Sequence, residues 1–398
     1  MKIIFADTTM GADLIGGAQM FLPRLLDGLV VRGRDISLVT NGEPNEKVRD
    51  SVRDSGARLY ADRADEATLI DDVIKPVAEF VANERPDVFV ISVSAGLSWV
   101  VLPLLDPSIA TMTIGHNDEE TFYAPVRHYG RFLTRAVGVS HEICDAYINA
   151  CGMPLERVDW IPYGVKTSEA APDTAEAGPI RLIYVGRFEN EQKRISDVVE
   201  VIRRLDGAGV DYSFTLVGDG EEIPIVRTSL ATQIESGRVK LTGWLPGDRV
   251  LSEMRQSDVF ILASAYEGFC ISLTEAIANG CCPIVTDIRS GNGQLVKDGI
   301  NGYIVSIGDI GTFVDKIKLL ADDRVRLGAM RKAAWQTGRE YSVDRMVSAY
   351  ERSFEQAIRD AREHPRIPDP SFPLMPSCRS RYPLWLSRIK AKLVNRKW

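Results

Sequence analysis

A repeated alternation of short apolar runs with stretches of helical periodicity is what most narrows the folds open to this chain. Residues 2–7 form one such run, 8–17 a glycine-containing loop, and apolar residues then recur at helical spacing over 21–31, with Gly33 as a stop signal. Runs at 35–40, 87–93, 110–115 and 135–140 follow, with a helical stretch at 73–83 and Pro86 just beyond it. Strands that alternate with helices line up as parallel sheet with both faces covered. The pattern fades over 166–179, rich in Ala, Pro, Glu and Thr, which is the expected linker. It restarts with strands at 180–185, 212–217, 239–242 and 259–263 and a helix at 195–205. Two doubly wound α/β halves follow, and such sheets bind ligands outside the carboxyl ends of their strands.

Composition excludes several classes. A net charge of -7 over 398 residues argues against a nucleic-acid partner. The apolar start, residues 1–7, is too short for a signal peptide, and no run has the length of a membrane span, so a cytoplasmic protein is expected. Cys144, Cys151, Cys270, Cys281, Cys282 and Cys378 make no C-x-x-C pair and no pattern with the four histidines, so no metal site is expected and the thiols read as reduced.

The richest chemistry lies at 264–276. Glu267 follows the apolar run 259–263, and Glu275 lies one turn inside a helix expected at 271–278, stopped by Asn279-Gly280. Between the two carboxylates is a loop whose backbone N–H groups and helix start suit a phosphate, while the acids suit hydroxyls. A sugar nucleotide needs that combination. Tyr184-Val185-Gly186-Arg187-Phe188 ends another strand, with Lys193 shortly after, which places a planar and a point-like cation near the next helix. Gly16-Gly17-Ala18 lets a ligand approach the backbone but is not a dinucleotide fingerprint. Pro23 then requires a kink, unless the helix begins near it. His116, in Ile114-Gly115-His116, is the histidine best placed for a site role; His128, His141 and His364 match no motif. Gly218-Asp219-Gly220 and Gly243-Trp244 end two further strands, and Asp219 has the alternative of capping a helix.

Together these residues resemble the donor site of retaining glycosyltransferases of the family 4 type, which have the GT-B fold. That family carries E-G-F-G-hydrophobic-x-x-x-E-A; here Glu267, Gly268, Phe269, Glu275 and Ala276 match, and Cys270 replaces the second glycine. Gly186-Arg187 with Lys193, the Gly16-Gly17 element and the Asp298-Gly299-Ile300-Asn301-Gly302 turn are also similar, whereas Gln294 stands where the family commonly has glutamate. The resemblance implies an α/β GT-B protein, with two Rossmann-like domains facing a central cleft. Residues 1–168 would bind acceptor, 169–342 the nucleotide-sugar donor, and a helix at 343–362 would cross back to the N-terminal domain. By the same resemblance Glu275 binds the donor ribose, Glu267 the sugar hydroxyls, and Arg187 and Lys193 the diphosphate. The backbone of Phe269, Cys270, Ile271 and Ser272 supplies N–H donors. Gly16, Gly17, Gly186, Asp219, Gly243 and Gly268 border the donor, and His116 lies near the reacting sugar. No D-x-D occurs, so the expected transfer needs no metal.

The implied function is hexosyl transfer from a nucleotide-sugar to a hydroxyl of a glycan or lipid-linked glycan, in cell-surface polysaccharide synthesis. A nucleotide-sugar epimerase of the same fold and a catalytically inactive transferase-like partner remain open as alternatives. The segment 365–376 is proline-rich and expected to be extended or mobile. Residues 379–398 carry seven cations and no acid; Trp385, Ile389 and Leu393 share a helical face, which suits peripheral contact with an anionic membrane on its inner face. Residues 123–135 offer a possible second basic patch through Arg127, His128, Arg131 and Arg135.

Overall fold

The computed structural model describes residues 1–7, 17–41, 46–54, 56–62, 70–92, 97–173, 178–289, 291–373 and 375. The chain divides into two compact units, Met1–Pro162 with Met346–Trp398, and Tyr163–Arg345. No helix among the described residues is long and apolar enough to cross a membrane.

The first unit holds β1 (Lys2–Ala6), β2 (Asp35–Asn41), β3 (Arg58–Asp62), β4 (Val88–Ile91), β5 (Ala110–Gly115), β6 (Arg135–Gly138) and β7 (Val158–Trp160). All are parallel, in the order β3-β2-β1-β4-β5-β6-β7. The central strands read as continuous apolar runs because helices cover both faces: every residue of β4 and β5 is buried. The helix expected near Pro23 instead spans Gly17–Val31 and runs through that proline. Phe21, Leu22, Leu25, Leu26 and Leu29 are all at most 1% exposed. Burying five large side chains outweighs the roughly 3 kcal/mol that an interior proline costs.

The helix Val343–Glu363 closes this unit. Phe354 meets Phe5 edge-on at 6.1 Å, and Glu351 accepts from Arg32 and Arg34, each at 2.6 Å. Gly28 leaves room for Val347, whose methyl would lie 2.4 Å from any Cβ there. Arg135 lies within this packing rather than in a basic patch: it is 8% exposed and pairs with Asp159 and Asp360, both at 2.7 Å. Arg127 pairs with Glu120.

The proline-rich segment, mostly exposed where it is described, is anchored to this unit at two points. Arg366 is buried and donates to the carbonyls of Leu102, Asp106 and Ile109. Phe372 sits among His128, Tyr129 and Phe132, with the Arg131 guanidinium 5.3 Å over its ring. The basic tail at 379–398 and Cys378 lie outside the described residues.

The second unit holds β8 (Ile180–Val185), β9 (Tyr212–Val217), β10 (Val239–Gly243), β11 (Val259–Leu262), β12 (Cys282–Thr286) and β13 (Tyr303–Val305), again parallel, ordered β10-β9-β8-β11-β12-β13. Strand order reverses between β8 and β11, so the loops after these two strands flank the topological switch point. Much of the expected linker is stitched to this unit. Lys166 pairs with Asp248 at 2.9 Å, and Trp335 Nε1 donates to the Ser168 carbonyl at 2.9 Å. Behind the switch point, Asp258 is 2% exposed and accepts from Arg331 at 2.9 Å and from Arg181 at 2.7 Å.

Candidate functional site

The loop after β8 carries Gly186, Arg187 and Lys193. Its shape comes from Glu189, whose two carboxylate oxygens accept the backbone N–H groups of Gln192 and Lys193, each at 3.0 Å. Arg194 then takes a left-handed conformation (φ 50°, ψ 49°) and the helix Ile195–Gly207 begins. This turn sends the Lys193 side chain inward, where its Nζ lies 2.5 Å from Glu267 Oε1. The neighbouring loop is pinned by glycines. Gly218 (φ 142°) and Gly220 (φ 157°) press against the β8 loop so closely that a Cβ would fall 1.9 Å from the Gly186 carbonyl oxygen and 2.4 Å from that of Phe188. Asp219 caps no helix: its carboxylate accepts the N–H of Gly220, and its carbonyl accepts that of Phe188. Gly243, at the end of β10, accepts the N–H of Gly218.

The loop after β11 carries Glu267, Gly268, Phe269 and Cys270, and the helix Ile271–Ala278 follows with the bounds expected for it. Ser264, fully buried, donates to the same Glu267 Oε1 at 2.7 Å. Lysine and serine thus converge on one oxygen of that carboxylate. Burial pushes the Lys193 ammonium down, but the adjacent Glu267 charge outweighs it and holds the pKa above the ordinary lysine value. Phe269 packs edge-on against Tyr163 at 5.8 Å and near Tyr341 at 5.9 Å, so its ring anchors the loop while its backbone opens the helix. Cys270 is the residue before the helix and makes no side-chain cap; burial pushes its thiol up to about 11, and its sulfur lies 3.3 Å from Ser272 Oγ. Glu275, also buried, sits at the fifth position of the helix.

Within the second unit the structure therefore brings Lys193 into contact with Glu267 and sets Arg187 and Glu275 on the same two strand–loop–helix segments. Ser264, Glu189 and Gln192 are parts of this site that sequence reasoning missed. Each acts through contacts with neither a periodic nor a motif signature, although serine and glutamate flanking the motif residues were visible.

In the first unit, Gly16 lies outside the described residues, and Gly17 is the first residue of its helix. His116 follows β5 and is 2% exposed; its Nε2 shares a hydrogen bond with Ser92 Oγ at 3.1 Å, and Phe21 meets its ring at 5.3 Å. Burial pulls its pKa from 6.5 to about 3, so the imidazole is neutral at physiological pH. An unfolded chain protonates this histidine below pH 6.5, while the folded chain resists until about pH 3. The stability tied to the neutral ring is present above pH 6.5 and is lost progressively as pH falls through that window. His116→Gln should flatten the decline of melting temperature across that window; an unchanged slope would show that the ring does not titrate this way.

The model of glycosyl transferases group 1 matches residues 166–340, which span the second sheet and both loops. The lipopolysaccharide core biosynthesis glycosyltransferase LpsE of Rhizobium meliloti is 25% identical over 344 residues, covering 84% of this chain and 94% of LpsE. The lipopolysaccharide 1,6-galactosyltransferase of Salmonella typhimurium is 30% identical over 198 residues, 49% of this chain and 53% of that protein. Among solved structures, the galactosyltransferase WaaB in apo form superposes with a TM-score of 0.69 at 16% identity, covering 89% of this chain and 99% of its own. Anabaena Alr3699/HepE, in complex with UDP and glucose, gives 0.71 at 17% identity, covering 89% and 100%. The two sheets and these neighbours establish the GT-B fold.

Proposed function

We propose that this chain, whose residues 166–340 match the model of glycosyl transferases group 1, is a glycosyltransferase that carries out a retaining reaction of the family 4 type. The donor is a nucleotide-sugar and the acceptor a hydroxyl of a glycan or lipid-linked glycan. The similarity to LpsE and to the Salmonella galactosyltransferase favours surface-polysaccharide synthesis, and the UDP held by HepE favours a UDP-sugar. The observation that carries this reading is the buried Lys193–Glu267 pair, at 2.5 Å, at the switch point of the second sheet. An isolated structural ion pair needs no flanking loop that opens a helix, no second buried glutamate and no exposed arginine beside it.

In this reading Glu267 receives the sugar hydroxyls through Oε2, since Oε1 already takes two donors. Glu275 receives the ribose, and the N–H groups at 269–272 face the diphosphate. The acceptor oxygen bonds to the anomeric carbon on the face from which the diphosphate oxygen departs. The carbon–oxygen bond to phosphate breaks with its electron pair going to phosphate, and the acceptor proton moves to that departing oxygen. Arg187 and Lys193 stabilise the charge that develops there, in place of a divalent metal. The reaction is expected on the cytoplasmic side, and the basic composition of residues 379–398 suits contact with anionic lipid, with packing on the protein itself as the alternative.

Thermal shifts with UDP, GDP and ADP, each with and without EDTA, test the donor site on wild type and Arg187→Ala. One nucleotide should stabilise wild type, by about 2.7 kcal/mol at a hundred times its dissociation constant. That shift should be indifferent to EDTA and smaller in the variant. Loss of the shift in EDTA would overturn the metal-free reading, and no shift with any nucleotide would favour the inactive-partner alternative.

A further inference from the structure

Resting on that reading of Arg187, we infer that Gln192 is a positioning residue that aims the Arg187 guanidinium and locks it to the loop carrying Glu267. Three bonds carry the inference. Gln192 Oε1 accepts from Arg187 at 2.7 Å, its Nε2 donates to the Tyr266 carbonyl at 3.2 Å, and its own carbonyl accepts the N–H of Ala265 at 2.7 Å. One residue thereby bridges the loops after β8 and β11.

Arg187 needs such a brace. Its side chain is 53% exposed, and a long flexible cation loses rotamer freedom when it must meet a phosphate in one orientation. Glu189 lies 3.9 Å away, beyond hydrogen-bonding distance, and both of its oxygens serve backbone N–H groups. The amide is also the right chemistry. It accepts from the guanidinium without neutralising it, so the full positive charge stays available to the diphosphate. A carboxylate at 192 would hold Arg187 more tightly, but would repel the ligand and give up the bond to Tyr266.

The test needs no knowledge of the sugar. Affinities are measured by calorimetry for whichever of UDP, GDP and ADP binds wild type, and for its monophosphate, with Gln192→Ala, Gln192→Glu, Arg187→Ala and the Gln192→Ala/Arg187→Ala double variant. Arg187→Ala should weaken the diphosphate on the order of ten- to thirtyfold, as expected for a lost charge-assisted bond. Gln192→Ala should weaken it roughly three- to tenfold, leaving the monophosphate within about twofold, and the double variant should be no weaker than Arg187→Ala alone. Gln192→Glu keeps the bond to Arg187 and guards against misfolding of the alanine variant; it too should lose diphosphate affinity selectively. Fully multiplicative losses, or equal losses for mono- and diphosphate, would overturn the role of Gln192 while leaving Arg187 in place. An Arg187→Ala variant that binds diphosphate as wild type does would instead overturn the underlying reading of the site.

Discussion

Lys193→Ala is expected to lower turnover by about two to three orders of magnitude, the usual consequence of removing one preorganised donor from a developing oxyanion. The lysine reaches this position because Glu189 folds its loop and because Glu267, only 7% exposed, draws the ammonium inward. Removing it has two effects. On the proposed mechanism the departing phosphate loses a cation, and in the structure Glu267 keeps only Ser264 on an oxygen that had two donors. Donor affinity should fall less than turnover, because the cation acts most on charge that exists only late in the reaction. Steady-state kinetics with the active nucleotide-sugar decide the point, with a melting curve to confirm folding. A loss of less than fivefold in kcat would remove Lys193 from the mechanism. Glu267→Gln keeps the shape and the serine bond but removes the charge that raises the lysine pKa.

The second large effect concerns stability. Asp258→Ala should destabilise the second unit by about 3–5 kcal/mol, because it leaves Arg331, 2% exposed, without its carboxylate in a dry environment. Arg331 would retain only carbonyl partners, Gly280 at 2.9 Å and Asp173 at 3.3 Å. Arg181 would lose a bidentate partner as well. Replacing the charges together, as Asp258→Leu with Arg331→Met, should recover much of the loss, since buried pairs are often matched by well-packed apolar residues. Denaturant unfolding that resolves the transition of this unit measures both. A single variant within about 1 kcal/mol of wild type would contradict the account. The pair joins the starts of β8 and β11 to the helix Arg324–Gly338, so it also supports the segments that carry Arg187 and Glu267.

What the sequence made legible was whatever has a local period or a fixed spacing. The helix Ile271–Ala278 was readable because Asn279-Gly280 stops it and Glu275 falls inside an apolar run. The two sheets followed from the restart of strand–helix alternation. Gln192 and Asp258 were not legible, because they act through partners 74 and 77 positions away, and Ser264, only three positions from Glu267, has no spacing that sets it apart from other loop serines. The start of the helix Gly17–Val31, six residues before Pro23, was not legible, because local backbone chemistry argued for a start or a kink at the proline while the burial that holds the helix there is tertiary. The anchored segment around Phe372 hid for a related reason: one aromatic among prolines has no period, and its aromatic partners lie some 240 positions earlier.

The helix Val343–Glu363 also imposes an order on synthesis. The second unit is one unbroken stretch, Tyr163–Arg345, whereas the first must wait for Met346 and beyond before Phe354 can reach Phe5 and Asp360 can reach Arg135. At roughly 5–20 residues per second, the roughly 180 intervening residues keep the older sheet waiting for about 10–35 seconds on the ribosome. The half of the protein that emerges first is therefore the half that finishes last, and until then Phe5 and Gly28 lack the Phe354 and Val347 side chains that cover them.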